Sequence, residues 1–577
     1  MAAKIYPKTI NGKEYYYLQY SYRKKINSND SGKTKGSGKS KIKTNSVFLG
    51  TAESIKNKLL SSREPLEVKW RDFGFVSAIY NISIETGLVE LLQQYVKGKR
   101  YGIENWKYFL LAIINRLQHA TSKEKMGEWA AKTVLPEIMG FDAKKLNSKS
   151  FWYATDDVIS QKELEKTRET TDSKNDIFAS IDDTIFQKIE NSLIENILKK
   201  YELSPEIVLY DTTNFFTYFA PQTESELAHT GHNKAGRHNL RQIGLALCVD
   251  KQYGIPLYHQ IYRGNCHDSK TFYEVILELL STLKEKLKLS KDLLLIIDKG
   301  NNSEQNFKML QNKIEWIGSL PLSNHKDLVD IPLNEYTGKF ASFAFYSVHR
   351  NVFDQDLKLC LTFTDSLYRK QKHSFYNSIE KFKTQIQNKW SEYKKTPKQV
   401  PSGIETLLKQ SSHKNYLSIN CVKGKPEFII CKEKIVEKEK CWGKHILFDS
   451  NQTRDSSNII ELYHSKDKVE KGFQLIKDVD LIRWMPMRHW TDSKIRAFAF
   501  CCVMSLILIR IMELKLEKEN FSMSPNVLKE ELTDLKQIFM IYDKSNIKTK
   551  ISSCSSVQKK LFDIFNLHTF EKLLTGH

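Results

Sequence analysis

The stretch PEIVLYDTTNFFTYF, residues 205–219, contains a short apolar run that ends in a carboxylate. Residues 207–210 are typical of a buried β-strand, which runs straight into Asp211. A second stretch, LLLIIDKGNN at residues 293–302, repeats this arrangement with Asp298. A carboxylate buried there without a partner costs several kcal/mol, but a bound cation would neutralise it. Taken singly, such an aspartate is more often a strand-end cap or a turn former.

A third stretch, YHSKDKVEKGFQLIK at residues 463–477, is predicted to be one helix. Successive spacings of 3, 4, 3 and 4 residues put five side chains on one face: Tyr463, Lys466, Glu470, Phe473 and Lys477. A face turned toward the core should be apolar, and this one is mostly charged. It is either an ordinary solvated face or, with the two aspartates, part of an oxygen-rich site. Mg²⁺ prefers such a site, with a few carboxylates and substrate phosphate oxygens.

Together the three stretches resemble the DDE site of prokaryotic insertion-sequence transposases of the cut-and-paste type. The third acidic residue of one such group lies in the pattern Y-x2-R-x3-E-x6-K, and here the pattern is Tyr463-x2-Lys466-x3-Glu470-x6-Lys477. Lys466 stands where the family has Arg, which keeps the charge but loses the bidentate fork and predicts a looser phosphate contact.

A further block at residues 231–268 resembles the family patterns G-x-S-K-D-x-R, Q-x2-L-x-L, G-I-P-L and G-N-x2-D. In this block Asn233 and Ala235 replace the usual Ser and Asp. The whole likeness covers roughly residues 207–510.

The resemblance implies that Asp211, Asp298 and Glu470 are the catalytic residues. The same three carboxylates would hold two Mg²⁺ ions, for which Mn²⁺ can substitute. The partners it implies are double-stranded DNA, at the element ends and the target, and a second copy of the chain in a synaptic homodimer.

Other residues are candidates for contact with DNA. Phosphate contacts are expected from Tyr463, Lys466 and Lys477 by resemblance, and from Lys234 and Arg237 of a basic loop at residues 229–241 by residue type. The histidines of that loop are an alternative set of metal ligands. The resemblance also implies that a tryptophan in the insertion stacks on a flipped base. Trp442, near the end of the insertion, is the candidate, and the alternative is a buried structural tryptophan. Arg483, Arg488 and His489 are expected to add positive charge near the site.

The predicted fold class is α/β, with a ribonuclease H-like catalytic core interrupted by a β-rich insertion. The core is predicted as strands at 207–211, 242–250 and 255–263, a helix at 269–286 capped by Asp268, a strand at 293–298, a helix at 306–312 and a strand at 315–320. In that fold the first and fourth strands lie side by side, which would bring Asp211 and Asp298 together.

The predicted domains divide the chain into six parts. These are a small β-rich segment with a basic loop (1–65), a helical DNA-binding region (66–204), the first part of the core (205–320), the β-rich insertion (321–458), the second part of the core (459–516) and a helical C-terminal tail (517–577).

Within the N-terminal third, a strand at 13–24 is expected to pair with 47–50 across a Gly/Ser/Lys-rich loop, which is interpreted as a basic arm. A phosphate-loop reading of Gly38-Lys39-Ser40 fails because Lys33 stands where the pattern needs Gly. Residues 76–200 are predicted to be helical, with a helix at 105–119 and a helix start at Asn147. These helices form either a DNA-reading helix-turn-helix or a plain supporting layer.

Composition narrows the class of protein. The 577 residues carry a formal charge of +21, which fits a polyanionic partner such as nucleic acid or, alternatively, a merely basic soluble protein. Nine cysteines without a C-x-x-C pair favour a reducing compartment and argue against structural zinc. The most apolar run, residues 497–509, is shorter than the roughly 20 residues that span a bilayer, which predicts a buried core helix and no membrane partner. A cytoplasmic, nucleoid-associated location is expected.

The function expected from these observations is that of an insertion-sequence transposase that binds terminal inverted repeats, cleaves DNA and transfers strands. Two alternatives remain at this stage. One is a ribonuclease H-like nuclease or resolvase without strand transfer, and the other is a non-catalytic DNA-binding protein derived from a transposase.

Overall fold

The computed structural model describes residues 3–25, 40–61, 64–160, 184–218, 225–231, 237, 239–289, 292–393, 397–543 and 546–575. It divides into two compact units. The smaller consists of residues 1–71, 536–553 and 574–577, and the larger of residues 72–535 and 554–573.

The smaller unit begins with an antiparallel sheet in which β2 is central. Its first elements are β1 (Ala3–Ile10), β2 (Lys13–Lys25), β3 (Ser40–Gly50), α1 (Ala52–Ser61) and β4 (Glu67–Asp72). The predicted pairing is confirmed, because Tyr17 lies opposite Phe48 and Leu18 opposite Val47. Residues 26–39 of the predicted basic loop, which spans residues 26–46, lie outside the described residues. Residues 40–46 belong to β3, where they pair with β2, so the loop prediction is wrong there.

Short helices follow, as the sequence predicted. They are α2 (Gly74–Glu85), α3 (Leu88–Tyr95), α4 (Asn105–His119), α5 (Met126–Ala131), α6 (Leu135–Met139), α7 (Ser148–Asp156) and α8 (Thr184–Lys200), with the small hairpin β5 (Lys99–Arg100) and β6 (Ile103–Glu104) before α4. Helix α4 has the predicted bounds. Asn147 caps α7 through a capping box in which its side chain accepts from the Ser150 N–H.

The central sheet positions the two aspartates. Its first elements are β7 (Ile207–Phe216), β8 (His229–Thr230), β9 (Arg241–Asp250), β10 (Pro256–Arg263), α9 (Asp268–Ser281), β11 (Leu294–Ile296), α10 (Glu304–Leu310) and β12 (Glu315–Leu320). The strand order is β10-β9-β7-β11-β12, with β7, β11 and β12 parallel and β9 antiparallel to both its neighbours. The prediction that the first and fourth core strands are adjacent is therefore confirmed. Helix α9 covers one face, where Phe272 meets Tyr210 edge to face.

The insertion continues this sheet. Its elements are α11 (Lys326–Val329), β13 (Gly338–Phe340), β14 (Phe343–Val352), β15 (Gln355–Phe363), α12 (Asp365–Ser391), α13 (Ser402–Gln410), β16 (Leu417–Val422), β17 (Lys425–Ile430), α14 (Lys432–Glu439) and β18 (Lys444–Asp449). Strand β18 pairs with β12 on one side and with β15 on the other, so the order continues β12-β18-β15-β14-β13. Strands β16 and β17 form a separate hairpin.

The predicted helix at residues 463–477 is in fact two helices, α15 (Ser456–His464) and α16 (Asp467–Lys477), with a turn at Ser465 and Lys466. Helix α17 (Asp492–Lys518) follows. By length and composition α17 could cross a membrane, but 94% of its most apolar 18-residue window is buried inside the structure. The prediction of a buried core helix is confirmed.

The C-terminal tail is not purely helical, so that part of the predicted fold class is wrong. Its elements are α18 (Pro525–Thr533), β19 (Lys536–Asp543), β20 (Asn546–Ile551), α19 (Ser556–Ile564) and α20 (His568–Thr575). The strands form an antiparallel hairpin whose β19 edge pairs with β4, completing a second sheet of the smaller unit. The run Gln537-Ile-Phe-Met-Ile-Tyr542 is apolar on both faces, which favours a strand.

Candidate functional site

Asp211 lies in β7, and Asp298 takes the equivalent position two residues beyond the end of the adjacent parallel strand β11. Leu209 of β7 lies opposite Ile296 of β11, and each aspartate follows two residues later. Because side chains two residues apart share a face of a strand, both carboxylates are directed to the same face of the sheet. Strand β11 ends at Ile296, whereas β7 continues to Phe216 paired with β9 alone. Asp211 therefore lies where the two strands separate, rather than at the strand end that the sequence predicted.

A cationic side chain contacts Asp298. The Lys466 ammonium lies 2.9 Å from Asp298 Oδ1, and Lys466 is 9% exposed. The Tyr463 hydroxyl lies 2.8 Å from Ser319 Oγ on β12 and donates to the same Asp298 oxygen at 3.4 Å. The Lys466 ammonium also lies 5.5 Å from the centre of the Tyr463 ring.

The charges in this cluster stabilise one another. Burial alone would raise the pKa of Asp298, but the Lys466 ammonium and the Lys299 backbone N–H outweigh it and hold that pKa below its ordinary value. Burial alone would lower the pKa of Lys466, but Tyr463, Asp298 and Asp211 outweigh it and hold that pKa above its ordinary value. Asp298 is thus a carboxylate and Lys466 an ammonium at neutral pH.

Helix α16 crosses β7 and β9 next to these carboxylates. Gly472 faces Leu247 of β9. A Cβ atom added at Gly472 would lie 3.6 Å from a Leu247 methyl group, which is an ordinary contact distance. At the end of the helix, Lys477 donates to Thr213 Oγ1 at 2.7 Å and lies 5.3 Å from the centre of the Phe215 ring. Glu470 is exposed and lies between Lys466 and Lys477, four and seven residues away, on the same helical face.

Asp268 has a different place from the predicted helix cap. It is the first residue of α9, whose N-cap is His267, so the capping prediction is wrong. Its Oδ1 accepts from the Thr212 hydroxyl at 3.0 Å, and a Cβ at Gly300 would be 3.1 Å from its Oδ2. The Thr212 side chain points to the sheet face opposite that of Asp211. Asp268 therefore lies on this opposite face, next to both β7 and the segment that follows Asp298. Its place in the G-N-x2-D pattern was the only sequence signal.

The remaining predicted DNA contacts are Trp442, Arg237 and Lys234. Trp442 is 5% exposed and packs against Phe375, with ring centres 5.3 Å apart, as the structural alternative expected. The indole would have to leave this aromatic cluster to stack on a base. Arg237 is exposed and lies 5.7 Å from the centre of the Phe216 ring, at the end of β7. Lys234 lies outside the described residues.

The prediction of positive charge on His489 is wrong. Burial, reinforced by Lys123 and Arg116, lowers the pKa of His489 to about 3, so its imidazole is neutral.

The side chains around Asp298 offer few ligands for a divalent cation. Within the described part of the chain, no group of three His, Cys, Asp or Glu side chains is close enough to hold a metal ion. Two aspartates side by side, one of them already paired with a cationic ammonium, do suit Mg²⁺, which completes its shell with water and phosphate oxygens. Asp211 and Asp298 therefore fit such an ion.

Replacing Lys466 by Met should destabilise the protein by about 1–3 kcal/mol, because Asp298 would remain largely buried without its cation. Urea unfolding measures this change. Lys471→Met is the matched control, since Lys471 makes an ion pair of the same 2.9 Å length with Asp467 on the exposed side of α16. That pair should contribute less than about 0.5 kcal/mol. Equal losses in the two variants would contradict the buried-pair interpretation.

The sequence profile of the transposase DDE domain matches residues 202–508, more than half of the chain. No curated protein sequence matches the chain.

Solved structures that are similar to it at low identity include three transposase complexes. The piggyBac transposase synaptic complex with hairpin DNA has a TM-score of 0.39 and 10% identity, covering 79% of this chain and 76% of that one. The Mos1 transposase paired-end complex with the left transposon end has a TM-score of 0.14 and 10% identity, and the match covers 38% of this chain and 59% of that one. The Mos1 mariner paired-end complex with Mn has a TM-score of 0.14 and 11% identity, and the match covers 38% of this chain and 60% of that one. On the strength of the domain match, this chain belongs to the DDE-domain transposase family.

Proposed function

We propose that this protein is the transposase of a prokaryotic insertion sequence. It would bind the element's terminal inverted repeats, cleave the DNA there and join the released strands to target DNA. The observation that carries this proposal is the register of β7 and β11, which sets Asp211 and Asp298 side by side beneath the helix of Glu470. The ribonuclease H-like assignment is supported by the strand order β10-β9-β7-β11-β12, which has the first and fourth core strands adjacent.

In the proposed reaction Asp211, Asp298 and Glu470 would hold two Mg²⁺ ions, for which Mn²⁺ could substitute. Such ions supply Lewis-acid stabilisation of charge on the phosphodiester during in-line displacement. The chain's own groups fix where that displacement occurs. Lys477 is held over the strand by Thr213 and Phe215, and its ammonium would contact a DNA phosphate from this position.

Lys466 would exchange partners when DNA binds. In the structure its ammonium neutralises Asp298. Since Asp298 would hold Mg²⁺ in the DNA complex, the Lys466 ammonium could turn to a phosphate oxygen without leaving Asp298 uncompensated. Tyr463, held by Ser319, keeps a hydroxyl donor next to the same carboxylate.

The partners proposed are double-stranded DNA and a second copy of the chain in a synaptic homodimer. The cytoplasm, in association with the nucleoid, is the proposed location. The formal charge of +21 supports a polyanionic partner.

The test is cleavage of a labelled duplex that carries the DNA flanking this gene, with Mg²⁺ or Mn²⁺. Wild type should release 3′-hydroxyl ends, and Glu470→Gln should bind the duplex but lose cleavage by about a hundredfold or more. Asp467→Asn, an exposed acid one turn before Glu470, should cleave like wild type.

Joining of pre-cut ends to a second duplex separates a transposase from a simple nuclease. Wild type that binds the duplex without cutting it, with either metal, would overturn the catalytic proposal and leave a DNA-binding protein.

A further inference from the structure

A basic pocket lies between α4 and the loop that follows α16. Its volume is about 380 Å³, within the usual range of ligand clefts. Four cationic side chains line it together with the neutral His489: Arg116, Lys123, Arg483 and Arg488. Its described lining contains no carboxylate, so the charge of this basic pocket is not balanced from within.

Arg116 is the most buried of these cations, at 9% exposed. Its guanidinium donates to the Arg483 and Thr121 carbonyl oxygens, both at 3.1 Å, and lies 5.3 Å from the centre of the Phe498 ring. Its Nε is buried and has no hydrogen-bond partner among the described residues. A buried guanidinium held by carbonyl oxygens and a ring lacks the anion that would offset its desolvation.

Lys123 shows the same imbalance. Its ammonium lies 4.9 Å from the centre of the Phe151 ring, and burial, together with the charge of Arg116, lowers its pKa to about 8. The nearby acids are engaged elsewhere, because Glu124 accepts from Ser148 at 2.6 Å and Asp156 pairs with Lys494. An anion between Arg116 and Lys123 would remove their mutual repulsion.

The pocket is connected to the strand that carries Asp211. Met487, in the pocket wall, bridges to Thr217, and the Tyr218 N–H donates to the Met487 carbonyl at 2.9 Å. Thr217 follows Asp211 by six residues, roughly 20 Å along an extended strand. One strand of duplex DNA rises about 3.4 Å per nucleotide, so the pocket lies roughly six nucleotides from the aspartates.

We propose that this basic pocket binds a backbone phosphate of the DNA strand that is cut at Asp211 and Asp298, a role that rests on the proposed function. A phosphodiester is the anion that suits these donors, because a guanidinium fork can hold two of its oxygens while an ammonium reaches another. By fixing the strand at a distance from the carboxylates, the pocket would set which phosphodiester bond reaches them.

The first test is the salt dependence of binding to the labelled flanking duplex. Each phosphate contact contributes about 0.9 to the slope of log K against log salt concentration. Lys123→Gln/Arg488→Gln, which removes two of the cations that would hold the one phosphate, should therefore lower the magnitude of that slope by about 0.9. The matched control is Lys409→Gln/Lys414→Gln, which removes two exposed charges from the insertion and should leave the slope within about 0.5 of the wild-type value. Circular dichroism confirms that each variant is folded.

The outcomes separate the two proposals. If the pocket variant keeps the wild-type slope and affinity, the proposal that the basic pocket binds a DNA phosphate is wrong. This holds even where Mg²⁺-dependent cleavage confirms the transposase proposal. Wild type that binds no duplex overturns both.

A second measurement reads the site directly. With a pKa of about 8, Lys123 should be acetylated readily by acetic anhydride at neutral pH. A bound phosphate would raise the pKa of Lys123, and the acetylation rate should fall about tenfold for each unit of that rise. Mass spectrometry follows Lys123 and, as the internal control, Lys409, whose rate should not change. Equal acetylation of Lys123 with and without bound duplex overturns the proposal independently of cleavage.

Discussion

Replacement of Asp211 by Asn is expected to abolish DNA cleavage, by about a thousandfold or more, while binding to the same duplex changes by less than about threefold. Asparagine has the same size, and its Oδ1 can still accept the Thr212 N–H as Asp211 does at 2.8 Å. It lacks the negative charge that would hold a divalent cation beside Asp298. The basic side chains that contact DNA are untouched, so affinity should persist. Cleavage and binding are measured on one labelled duplex.

Asp365→Asn is the matched control for this variant, because Asp365 is an exposed acid at the start of α12 that pairs only with Arg369 in the described structure. It should cleave at the wild-type rate. Cleavage by Asp211→Asn within tenfold of wild type would remove Asp211 from the catalytic set. A parallel loss of binding would instead mean that β7 had lost its structure.

The largest effect on stability is expected from Trp484→Ala. The Trp484 ring is fully buried, stacks on Phe215 with ring centres 4.2 Å apart and meets Phe498 edge to face at 5.5 Å. Truncation should cost about 3–5 kcal/mol, since the loss of a buried indole leaves a cavity between β7 and α17. The free energy of unfolding in urea measures this loss.

Trp490→Ala separates burial from the mere loss of an indole. Trp490 is 43% exposed and contacts Trp152 at the edge of the same loop, with ring centres 5.9 Å apart. Its truncation should cost less than about 1.5 kcal/mol. An equal fall in the free energy of unfolding for both variants would mean that Phe215, Trp484 and Phe498 do not pack as one unit.

Much of the core was predictable because its signals are local. Residues 242–250 and 255–263 are apolar runs separated by a turn that ends in Gly254, and residues 315–320 and 105–119 have clear strand and helix patterns. The adjacency of Asp211 and Asp298 followed from the order of these elements and from the family resemblance. Both routes require only that each element form where its sequence indicates.

The features that were missed depend on contacts between distant parts of the chain. No glycine or proline marks the break between α15 and α16. Ser465 and Lys466, which form the break, also have helical backbone angles, with φ of −65° and −57°. The position of Lys466 at this break suits its contact with Asp298, which is 168 residues earlier in the chain. Similarly, Arg116 and Arg483 form one pocket from regions that sequence patterns treat separately.

The position of β18 has a consequence for synthesis of the chain. This strand closes the edge of β12 and directly precedes the helices of Tyr463 and Glu470. At roughly 5–20 residues per second, a ribosome would finish Lys477 about 15–50 s after Asp211. Until β18 emerges, β12 has an open edge of the kind that promotes aggregation. We expect truncated products that end before residue 444 to be insoluble as well as inactive, so that a frameshift within the insertion would silence the gene product completely.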